Sequence, residues 1–308
     1  MNDASNAYDV IIIGGGPAGL SAGIYTARSS LRSLLIERGA IGGQIVNTGL
    51  VENYPGVKGP VGGFEITQVM YEQATGFGLV TTYADVSGIT VEDKNKIVRT
   101  AEGNFNAPAV IIASGSERQK LGVPGEAEYA GKGVSYCATC DGAFFRDKVV
   151  AVVGGGNAAL TEALELTHFA SRIILIHRRN EFRGLAVLAE KARATGKVDF
   201  LLDTVIDEII GDRFVTGLKV TNVKTGEQQV IPVAGLFVAI GFRPNTGYLQ
   251  GTVALDEQGA VIVDNRMATN VSGIFAAGDI RSGSIRQVIA AAGDGAVAAV
   301  NAGRYLQE

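Results

Sequence analysis

The chain has 308 residues, of which 46% are hydrophobic and 19% are charged, so it can build a substantial core and is not a disordered protein. Its formal net charge of −4 argues against an extended nucleic-acid-binding surface. The 42 glycines are roughly twice the share of an ordinary globular chain, which indicates many tight turns and close approaches between backbone and ligand.

The N-terminal stretch MNDASNA is short and polar, and it lacks the basic region and apolar run of a secretory signal peptide. No apolar run elsewhere approaches the ~18 residues that a membrane-spanning helix needs. We therefore expect a cytoplasmic enzyme, in a compartment where thiols are usually kept reduced.

One pattern occurs twice, at an offset of 140 residues. The first copy runs from Tyr8 to Arg38 and the second from Lys148 to Arg178. Each copy has an apolar strand, a run of glycines, a helix of small residues and a second apolar strand, which is the order of a βαβ unit. Unbroken apolar strands are typical of a parallel sheet that is covered on both faces. The sequence therefore predicts an α/β fold with two Rossmann-like dinucleotide-binding domains.

The glycines of each copy have distinct physical roles. The first permits a tight turn, the third lets a pyrophosphate approach the backbone, and a small residue three positions later lets the helix pack on the strand. The helix then presents free N–H groups and its positive dipole end to the phosphates. The paired positions are Gly14 with Gly154, Gly16 with Gly156, and Gly19 with Ala159.

The end of the second strand of each copy indicates which dinucleotide it binds. Glu37 can accept hydrogen bonds from ribose hydroxyls and repels a 2′-phosphate, so the first copy fits FAD or NAD. The second copy has His177 at the matching position, within HRRNEFR, and the arginines of this stretch predict a 2′-phosphate clamp for NADPH. These arginines are Arg178, Arg179 and Arg183. A solvated basic loop is the alternative interpretation.

Cys137 and Cys140 form a C-x-x-C and are the only cysteines of the chain. A structural zinc site needs four ligands, and the only histidines are His168 and His177. A structural disulfide would close too small a loop, in too reducing a compartment, to be an attractive stabiliser. We therefore favour a redox pair that cycles between dithiol and disulfide.

A series of motifs runs through the chain in a fixed order. They are GGGPAG at 14–19, ERGAIGGQ at 37–44, VENYPG at 51–56, CATCDG at 137–142, GGGNAA at 154–159, HRRNEFR at 177–183, FVAIGFRPNT at 237–246, GIFAAGD at 273–279 and RQ at 286–287. Together they resemble the low-molecular-weight thioredoxin reductases over nearly the entire chain.

This resemblance implies a discontinuous FAD-binding domain, residues 1–117 and 246–308, with an NADPH-binding domain, residues 118–245, inserted in it. It also implies a homodimer that uses FAD and NADPH to reduce thioredoxin. The nicotinamide and the cysteine pair both belong to the inserted domain, and each must reach the same flavin at a different moment. The family solves this by rotating the NADPH domain relative to the FAD domain.

The resemblance also implies catalytic roles. Cys140 would be the thiol nearest the flavin, Cys137 the thiol that attacks the partner, and Asp141 the acid and base. Asp141 also stands where it could cap a helix, and the two roles do not exclude each other. Phe144 and Arg146 are candidate docking residues, whereas Phe145 is as compatible with core packing as with a contact.

The resemblance also implies which residues of this chain contact each cofactor. FAD contacts are expected from Gly14, Gly16, Pro17, Ala18, Gly19, Glu37, Arg38, Gly43, Gln44, Asn53, Ala113, Gly278, Asp279, Arg286, Gln287 and Val288. NADPH contacts are expected from Gly154, Gly156, Asn157, Ala158, Ala159, His177, Arg178, Arg179, Arg183 and Ile240. Asp279 is also compatible with capping the next helix. Ala158 lacks a hydroxyl that many relatives have, which removes one hydrogen bond of ~1 kcal/mol and leaves NADPH preferred.

Two rival functions stay open. One is reduction of a different disulfide carrier, such as a peroxidase-linked or glutaredoxin-like protein, and the other is a non-catalytic redox sensor. Steady NADPH consumption with a disulfide acceptor separates an enzyme from a sensor, because a sensor shows one reduction and no turnover.

Overall fold

The computed structural model describes residues 7–48, 51–59 and 61–308, so most of the N-terminal stretch on which the signal-peptide expectation rests lies outside the described residues. The chain divides into two compact units. The first unit is Met1–Glu117 with Arg243–Glu308, and the second unit is Arg118–Phe242. The sequence-based boundaries fall after residues 117 and 245, and the assignment of one dinucleotide to each unit remains a proposal. Within the described ranges, no helix is long and apolar enough to cross a membrane.

Regular structure occupies much of both units. The strands are β1 (Val10–Ile13), β2 (Ser33–Glu37), β3 (Val80–Tyr83), β4 (Val86–Glu92), β5 (Asn95–Thr100), β6 (Gly103–Ala107), β7 (Ala109–Ile112), β8 (Ser116–Arg118), β9 (Val134–Ser135), β10 (Val149–Val153), β11 (Arg172–Ile176), β12 (Val198–Leu201), β13 (Thr204–Gly211), β14 (Val215–Asn222), β15 (Gln228–Pro232), β16 (Gly235–Val238), β17 (Phe242–Pro244) and β18 (Ile274–Ala276). The helices are α1 (Pro17–Arg28), α2 (Gly63–Gly76), α3 (Ala138–Asp141), α4 (Asn157–Leu166), α5 (Ala186–Ala194) and α6 (Val288–Tyr305). Short 3₁₀ helices span Gly43–Asn47, Gly142–Phe145, Gly247–Leu249 and Gly278–Ile280.

The first unit is built on a parallel sheet with the strand order β18–β7–β1–β2–β3. All four residues of β1 are buried, because the strand is covered on both faces. Val10 and Ile12 belong to the core that includes α1 and α6, whereas Ile11 and Ile13 belong to the core on the other face, with Val98 of the antiparallel β4–β5–β6 sheet. The C-terminal β18 lies next to β7, so the tail of the chain completes the sheet that the N-terminus begins.

The second unit repeats this arrangement, with the parallel order β12–β11–β10–β16–β9. One face packs against α4 and α5, through residues such as Leu160 and Ala192. The other face packs against the antiparallel β13–β14–β15 sheet, through residues such as Leu218. Strands β1 and β2 therefore correspond to β10 and β11. The predicted α/β fold with parallel sheets is confirmed.

Each parallel sheet has one tight glycine turn at its carboxyl edge. Gly14 has a φ of +108° and Gly154 a φ of +154°, which only glycine adopts readily. A Cβ built on Gly14 would lie 2.4 Å from the carbonyl oxygen of Ala113, and one on Gly154 would lie 2.3 Å from that of Ala239. Both turns therefore press against the backbone that follows the neighbouring strand, β7 or β16.

Helix α1 approaches the first turn even more closely, and this leads to a stability prediction. A Cβ on Gly19 would lie 1.8 Å from the carbonyl oxygen of Gly14, an atom of the backbone that cannot swing aside. We expect Gly19→Ala to lower the free energy of unfolding by roughly 1–3 kcal/mol or more through overpacking. Urea unfolding followed by far-UV circular dichroism measures the change. Gly76→Ala is the control, because nothing lies within 4 Å of its Cβ position. Equal unfolding midpoints for the two variants would contradict the close approach.

Candidate functional site

The predicted FAD contacts of the first unit gather at one edge of its sheet. Gly14 follows β1, Glu37 ends β2, Ala113 follows β7 and Gly278 comes shortly after β18. Because parallel strands end at the same edge, these residues meet where ligands of α/β sheets bind. Pro17 and Ala18 begin α1, Val288 begins α6, and Gly43 begins a 3₁₀ helix.

Glu37 is anchored on the glycine turn. Its Oε2 accepts a hydrogen bond from the backbone N–H of Gly15 at 2.6 Å, and its Oε1 accepts one from Gly39 at 2.8 Å. The next residue, Arg38, forms an ion pair with Glu117. A carboxylate is therefore held directly over the turn, where it adds negative charge.

Other predicted FAD residues are brought together from distant parts of the chain. The side-chain amide of Asn53 donates to Oε1 of Gln287 at 3.1 Å. The amide of Gln44 donates to the carbonyl of Ser116. Oδ1 of Asp279 accepts a hydrogen bond from the hydroxyl of Ser284 at 3.2 Å. Arg286, two residues before α6, has a φ of +55°.

A buried ion pair fixes the turn that carries Asp279, and the sequence analysis missed it. Asp294 of α6 is 8% exposed, and its two carboxylate oxygens accept from Nε and Nη2 of Arg281 at 2.6 and 3.1 Å. Oδ2 of Asp294 also accepts from the backbone N–H of Gly278 at 3.2 Å. Both ends of the turn are thereby tied to one carboxylate. The available signal was Asp294 itself, the one acidic residue of α6, because it lies in a run of small and apolar residues and a buried charge needs a partner.

The equivalent edge of the second unit holds the predicted NADPH contacts. Gly154 follows β10, His177 follows β11 and Ile240 comes two residues after β16. The His177 side chain is 5% exposed, its ring stacks on Phe182 at 5.6 Å, and it covers Gly155 so closely that a Cβ there would lie 2.0 Å away. His177 thus occupies the place that Glu37 takes in the first unit.

Burial lowers the pKa of His177, and the charges of the three clamp arginines lower it further, against a hydrogen bond to the backbone of Glu181. Its imidazole is therefore neutral at pH 7. Within the described part of the chain, Nε2 of His177 has no hydrogen-bond partner.

The HRRNEFR stretch folds back on the glycine loop. The backbone N–H of Arg183 donates to the carbonyl of Gly155 at 2.7 Å, and that of Leu185 donates to Oδ1 of Asn157 at 2.8 Å. Arg178, Arg179 and Arg183 are exposed. Among the residues that the structure describes, none of these three arginines forms an ion pair, so each guanidinium is available to an anion.

The two loops have room for phosphates. Nothing lies within 4 Å of the Cβ position of Gly156, and the nearest atom to that of Gly16 is 4.0 Å away. Both residues have negative φ values, −100° and −75°, so their freedom from contacts does not come from a special backbone conformation. Each open position lies at the N-terminus of a helix, α4 or α1, where free N–H groups favour anions. The residues present therefore fit a dinucleotide in each unit.

Cys137 and Cys140 form a disulfide with a Cα–Cα distance of 5.3 Å. Cys137 precedes α3, and its Sγ accepts a hydrogen bond from the backbone N–H of Cys140 at 3.2 Å. Cys140 is exposed and Cys137 is half-buried. Such a hydrogen bond stabilises a thiolate more than a thiol, which suits Cys137 to nucleophilic attack once the pair is reduced.

Asp141 is the last residue of α3, and its carboxylate has a specific partner. The hydroxyl of Ser135 donates to Oδ2 of Asp141 at 2.6 Å. The helix-cap alternative does not hold, because Asp141 makes no capping hydrogen bond to the 3₁₀ helix that follows. Ser135 is the second functional candidate that the sequence analysis missed, although a hydroxyl two residues before the first cysteine was a visible signal.

The two phenylalanines after the cysteines have different environments. Phe145 is 8% exposed and packs edge-to-face on Phe237 at 5.1 Å, so it belongs to the core. Phe144 is 46% exposed, and Arg146 is exposed beside the ring of Phe169. Of these three residues, Phe144 and Arg146 are therefore exposed and Phe145 is not.

Two Rossmann-like folds with open phosphate-facing loops and a redox-active cysteine pair define a dinucleotide-dependent disulfide oxidoreductase. The chain matches the family model described as pyridine nucleotide-disulphide oxidoreductase over residues 8–295, and it belongs to this family. Family membership implies FAD and NADPH as cofactors.

Relatives and solved structures agree with this assignment. The chain is 42% identical to a thioredoxin reductase of Listeria monocytogenes, covering 100% of this chain and 97% of the relative. It is 45% identical to a thioredoxin reductase of Mycolicibacterium smegmatis, covering 100% and 99%. The solved thioredoxin reductase of Streptococcus pyogenes is 43% identical, with a TM-score of 0.94 and 99% coverage of both chains.

A buried carboxyl on α4 yields a prediction about pH. Burial raises the pKa of Glu162 to about 8, an effect that the nearby Glu165 reinforces and Arg118 opposes. Between the ordinary pKa near 4.5 and this value, the folded chain binds more protons than the unfolded chain, so the free energy of unfolding falls as pH rises. We expect this one group to lower the free energy of unfolding by on the order of 1–3 kcal/mol between pH 5 and pH 8.

Glu162→Gln should flatten this dependence of the free energy of unfolding on pH. The variant should therefore become more stable relative to wild type as pH rises. Urea unfolding at pH 5, 6.5 and 8 measures the slope. Glu190→Gln, at an exposed position of α5, is the control and should keep the wild-type slope. Identical slopes for Glu162→Gln and wild type would show that Glu162 does not hold its proton in this range.

Proposed function

We propose that the chain is an NADPH-dependent flavoprotein that reduces the disulfide of thioredoxin. The observation that carries the proposal is the Cys137–Cys140 disulfide, placed in the second of two dinucleotide-binding folds. Relatives named thioredoxin reductase match this chain over its full length, which supports thioredoxin as the disulfide substrate.

FAD is proposed for the first unit and NADPH for the second. Glu37 lies over the first glycine turn, where its negative charge disfavours a 2′-phosphate and suits ribose hydroxyls. The second turn has the neutral His177 at that place, together with the three exposed arginines of HRRNEFR. Guanidinium groups bind phosphate through paired hydrogen bonds, which favours NADPH over NADH.

Each turnover converts NADPH, one proton and the disulfide of thioredoxin into NADP⁺ and the thioredoxin dithiol. FAD bound at the first glycine loop would supply the two-electron carrier between NADPH and the cysteine pair. Cys137 then attacks the thioredoxin disulfide, and Cys140 resolves the mixed disulfide by attacking Cys137. Asp141 moves the proton that the thiols gain and lose.

Three further features belong to the proposal. The second unit rotates relative to the first between half-reactions, so that cofactor and cysteines reach the flavin in turn. Phe144 and Arg146 contribute to the docking surface for thioredoxin. The enzyme is a homodimer and acts in the cytoplasm, where NADPH is supplied.

The proposed function predicts NADPH-driven turnover of thioredoxin. The purified holoenzyme, assayed anaerobically with a thioredoxin from the same cell, should oxidise NADPH steadily and much faster than NADH. Cys137→Ser should lower this rate at least ~100-fold, because it removes the attacking thiolate. The flavin of this variant should still bleach with NADPH, since Cys137 has no part in nicotinamide binding.

Other outcomes reassign specific parts of the proposal. Bleaching by NADPH without thioredoxin turnover would contradict thioredoxin as substrate and indicate another disulfide carrier. If neither nicotinamide bleaches the flavin, the arginine clamp has been misinterpreted. One reduction without turnover in the presence of any disulfide acceptor would indicate a sensor.

A substitution at Gly156 can test cofactor binding independently of folding. Its Cβ position is open and its backbone conformation suits any residue, so Gly156→Ala should unfold at the wild-type urea concentration. The added methyl group would occupy the space proposed for the pyrophosphate, so the Kd for NADP⁺ should rise roughly tenfold or more. Isothermal titration calorimetry with NADP⁺ measures the affinity. Gly293→Ala on α6, with equal space around its Cβ, is the control. An unchanged affinity would exclude this loop as the phosphate site.

A further inference from the structure

We propose that Ser135 is a positioning residue, which holds the Asp141 carboxylate in place for proton transfer with the cysteine pair. The inference rests on the proposed function, in which Asp141 serves as the acid and base. Ser135 itself undergoes no net change in the reaction.

Ser135 has a fixed position in the fold. It is the last residue of β9, the edge strand of the parallel sheet, and it pairs with Phe237 of β16. Its side chain is only 4% exposed. The strand therefore delivers a buried hydroxyl to the start of the redox segment, two residues before Cys137.

The hydroxyl hydrogen has two acceptors within reach, and the distances decide between them. Oδ2 of Asp141 lies 2.6 Å away, whereas the carbonyl oxygen of Cys137 lies 3.4 Å away. Hydrogen bonds from a hydroxyl to a carboxylate are short and about twice as strong as neutral ones. The hydrogen is therefore directed to Asp141.

The same oxygen also accepts a hydrogen bond from the backbone N–H of Cys137, at 3.2 Å. This second bond fixes the orientation of the hydroxyl, since the amide occupies one lone pair and leaves the hydrogen to Asp141. Ser135 thereby links the backbone of the first cysteine to the side chain of the acid. The link involves neither sulfur atom, so it does not depend on the disulfide being closed.

One oxygen of Asp141 is left available by this arrangement. Oδ2 is occupied by Ser135, while Oδ1 makes no hydrogen bond among the described residues. A carboxylate held by one oxygen keeps a single orientation, and its other oxygen can exchange a proton. Effective proton transfer depends on such positioning, because the groups must stay within hydrogen-bond reach.

The proton balance of the reaction shows at which steps the orientation of Asp141 matters. Reduction of the Cys137–Cys140 disulfide by NADPH consumes one proton and yields the dithiol and NADP⁺. Two electrons break the S–S bond, and the resulting thiolate must be protonated. During attack on the partner, the reverse transfer regenerates a thiolate. Both transfers pass through the carboxyl group of Asp141.

A purely structural role makes a different prediction. A serine hydroxyl often bonds the backbone two residues on and stabilises a turn, which is all that the contact with Cys137 requires. Loss of such a turn would alter the geometry of the disulfide and therefore its equilibrium with the dithiol. Loss of a positioning contact would slow proton transfer without changing that equilibrium.

The test compares Ser135→Ala, Asp141→Asn and the double variant, each as holoenzyme. Two quantities are measured: the NADPH-driven rate of disulfide reduction by stopped flow, which needs no thioredoxin, and the equilibrium constant of the cysteine pair against dithiothreitol. Ser33→Ala is the matched control, because Ser33 is a buried strand residue whose hydroxyl bonds the carbonyl of Leu31. Ser135→Gly replaces Ser135→Ala if the latter does not fold.

We expect Ser135→Ala to slow reduction about 10- to 100-fold, part of what a general acid contributes. The equilibrium constant should stay within about twofold of wild type. Because Ser135 acts through Asp141, the double variant should be no more than about twofold slower than Asp141→Asn alone.

Three results would overturn the proposal. They are a wild-type rate in Ser135→Ala, a double variant whose loss is the product of the two single losses, and a tenfold change in the equilibrium constant. A failure of thioredoxin turnover in wild type would instead count against the proposed substrate. It would leave the coupling between Ser135 and Asp141 measurable in the reductive step.

Discussion

The structure depends on a contact between backbones, made once in each unit. Gly14 presses against the carbonyl of Ala113, and Gly154 presses against that of Ala239, with no room for a Cβ in either place. This approach turns the chain sharply from a strand into a helix, and the third glycine of each loop, Gly16 or Gly156, has open space at its Cβ position. The N–H groups there consequently face open space, as the empty surroundings of Gly156 show. A phosphate-facing loop is thus the geometric result of the turn, before any ligand is considered.

The two copies of this turn differ at one corresponding position. Glu37 and His177 both cover the middle glycine of the loop, but they differ in charge. Glu37 accepts the N–H of Gly15 and adds a negative charge. His177 stacks on Phe182 and is neutral, which leaves the charge of this edge to the arginines that follow. In the proposed function, this difference and the arginines that follow His177 assign the dinucleotide with a 2′-phosphate to the second unit.

The fold was largely predictable from the sequence, because its signals are local. The apolar runs of β1 and β10, and the glycines after them, specify strand, turn and helix within some thirty residues, and the offset between copies shows that the architecture is repeated. Contacts between distant residues could not be derived in this way. The hydrogen bond between Asn53 and Gln287 joins positions 234 residues apart, and no periodicity connects them. Arg281 and Asp294 are closer, but their pairing depends on how α6 returns to the sheet.

The redox segment shows why such polar contacts matter. Helix α3 has only four residues, and of these only Ala138 is fully buried, so hydrophobic packing does little to hold it. The disulfide cannot hold it either, since the S–S bond must open in every turnover. Three further restraints are polar or aromatic: Ser135 with Asp141 at 2.6 Å, Thr139 with Glu165 at 2.9 Å, and the packing of Phe145 on Phe237. None of them involves sulfur. The cysteines can therefore keep their positions in the reduced state, which a pair that must close again on each cycle requires.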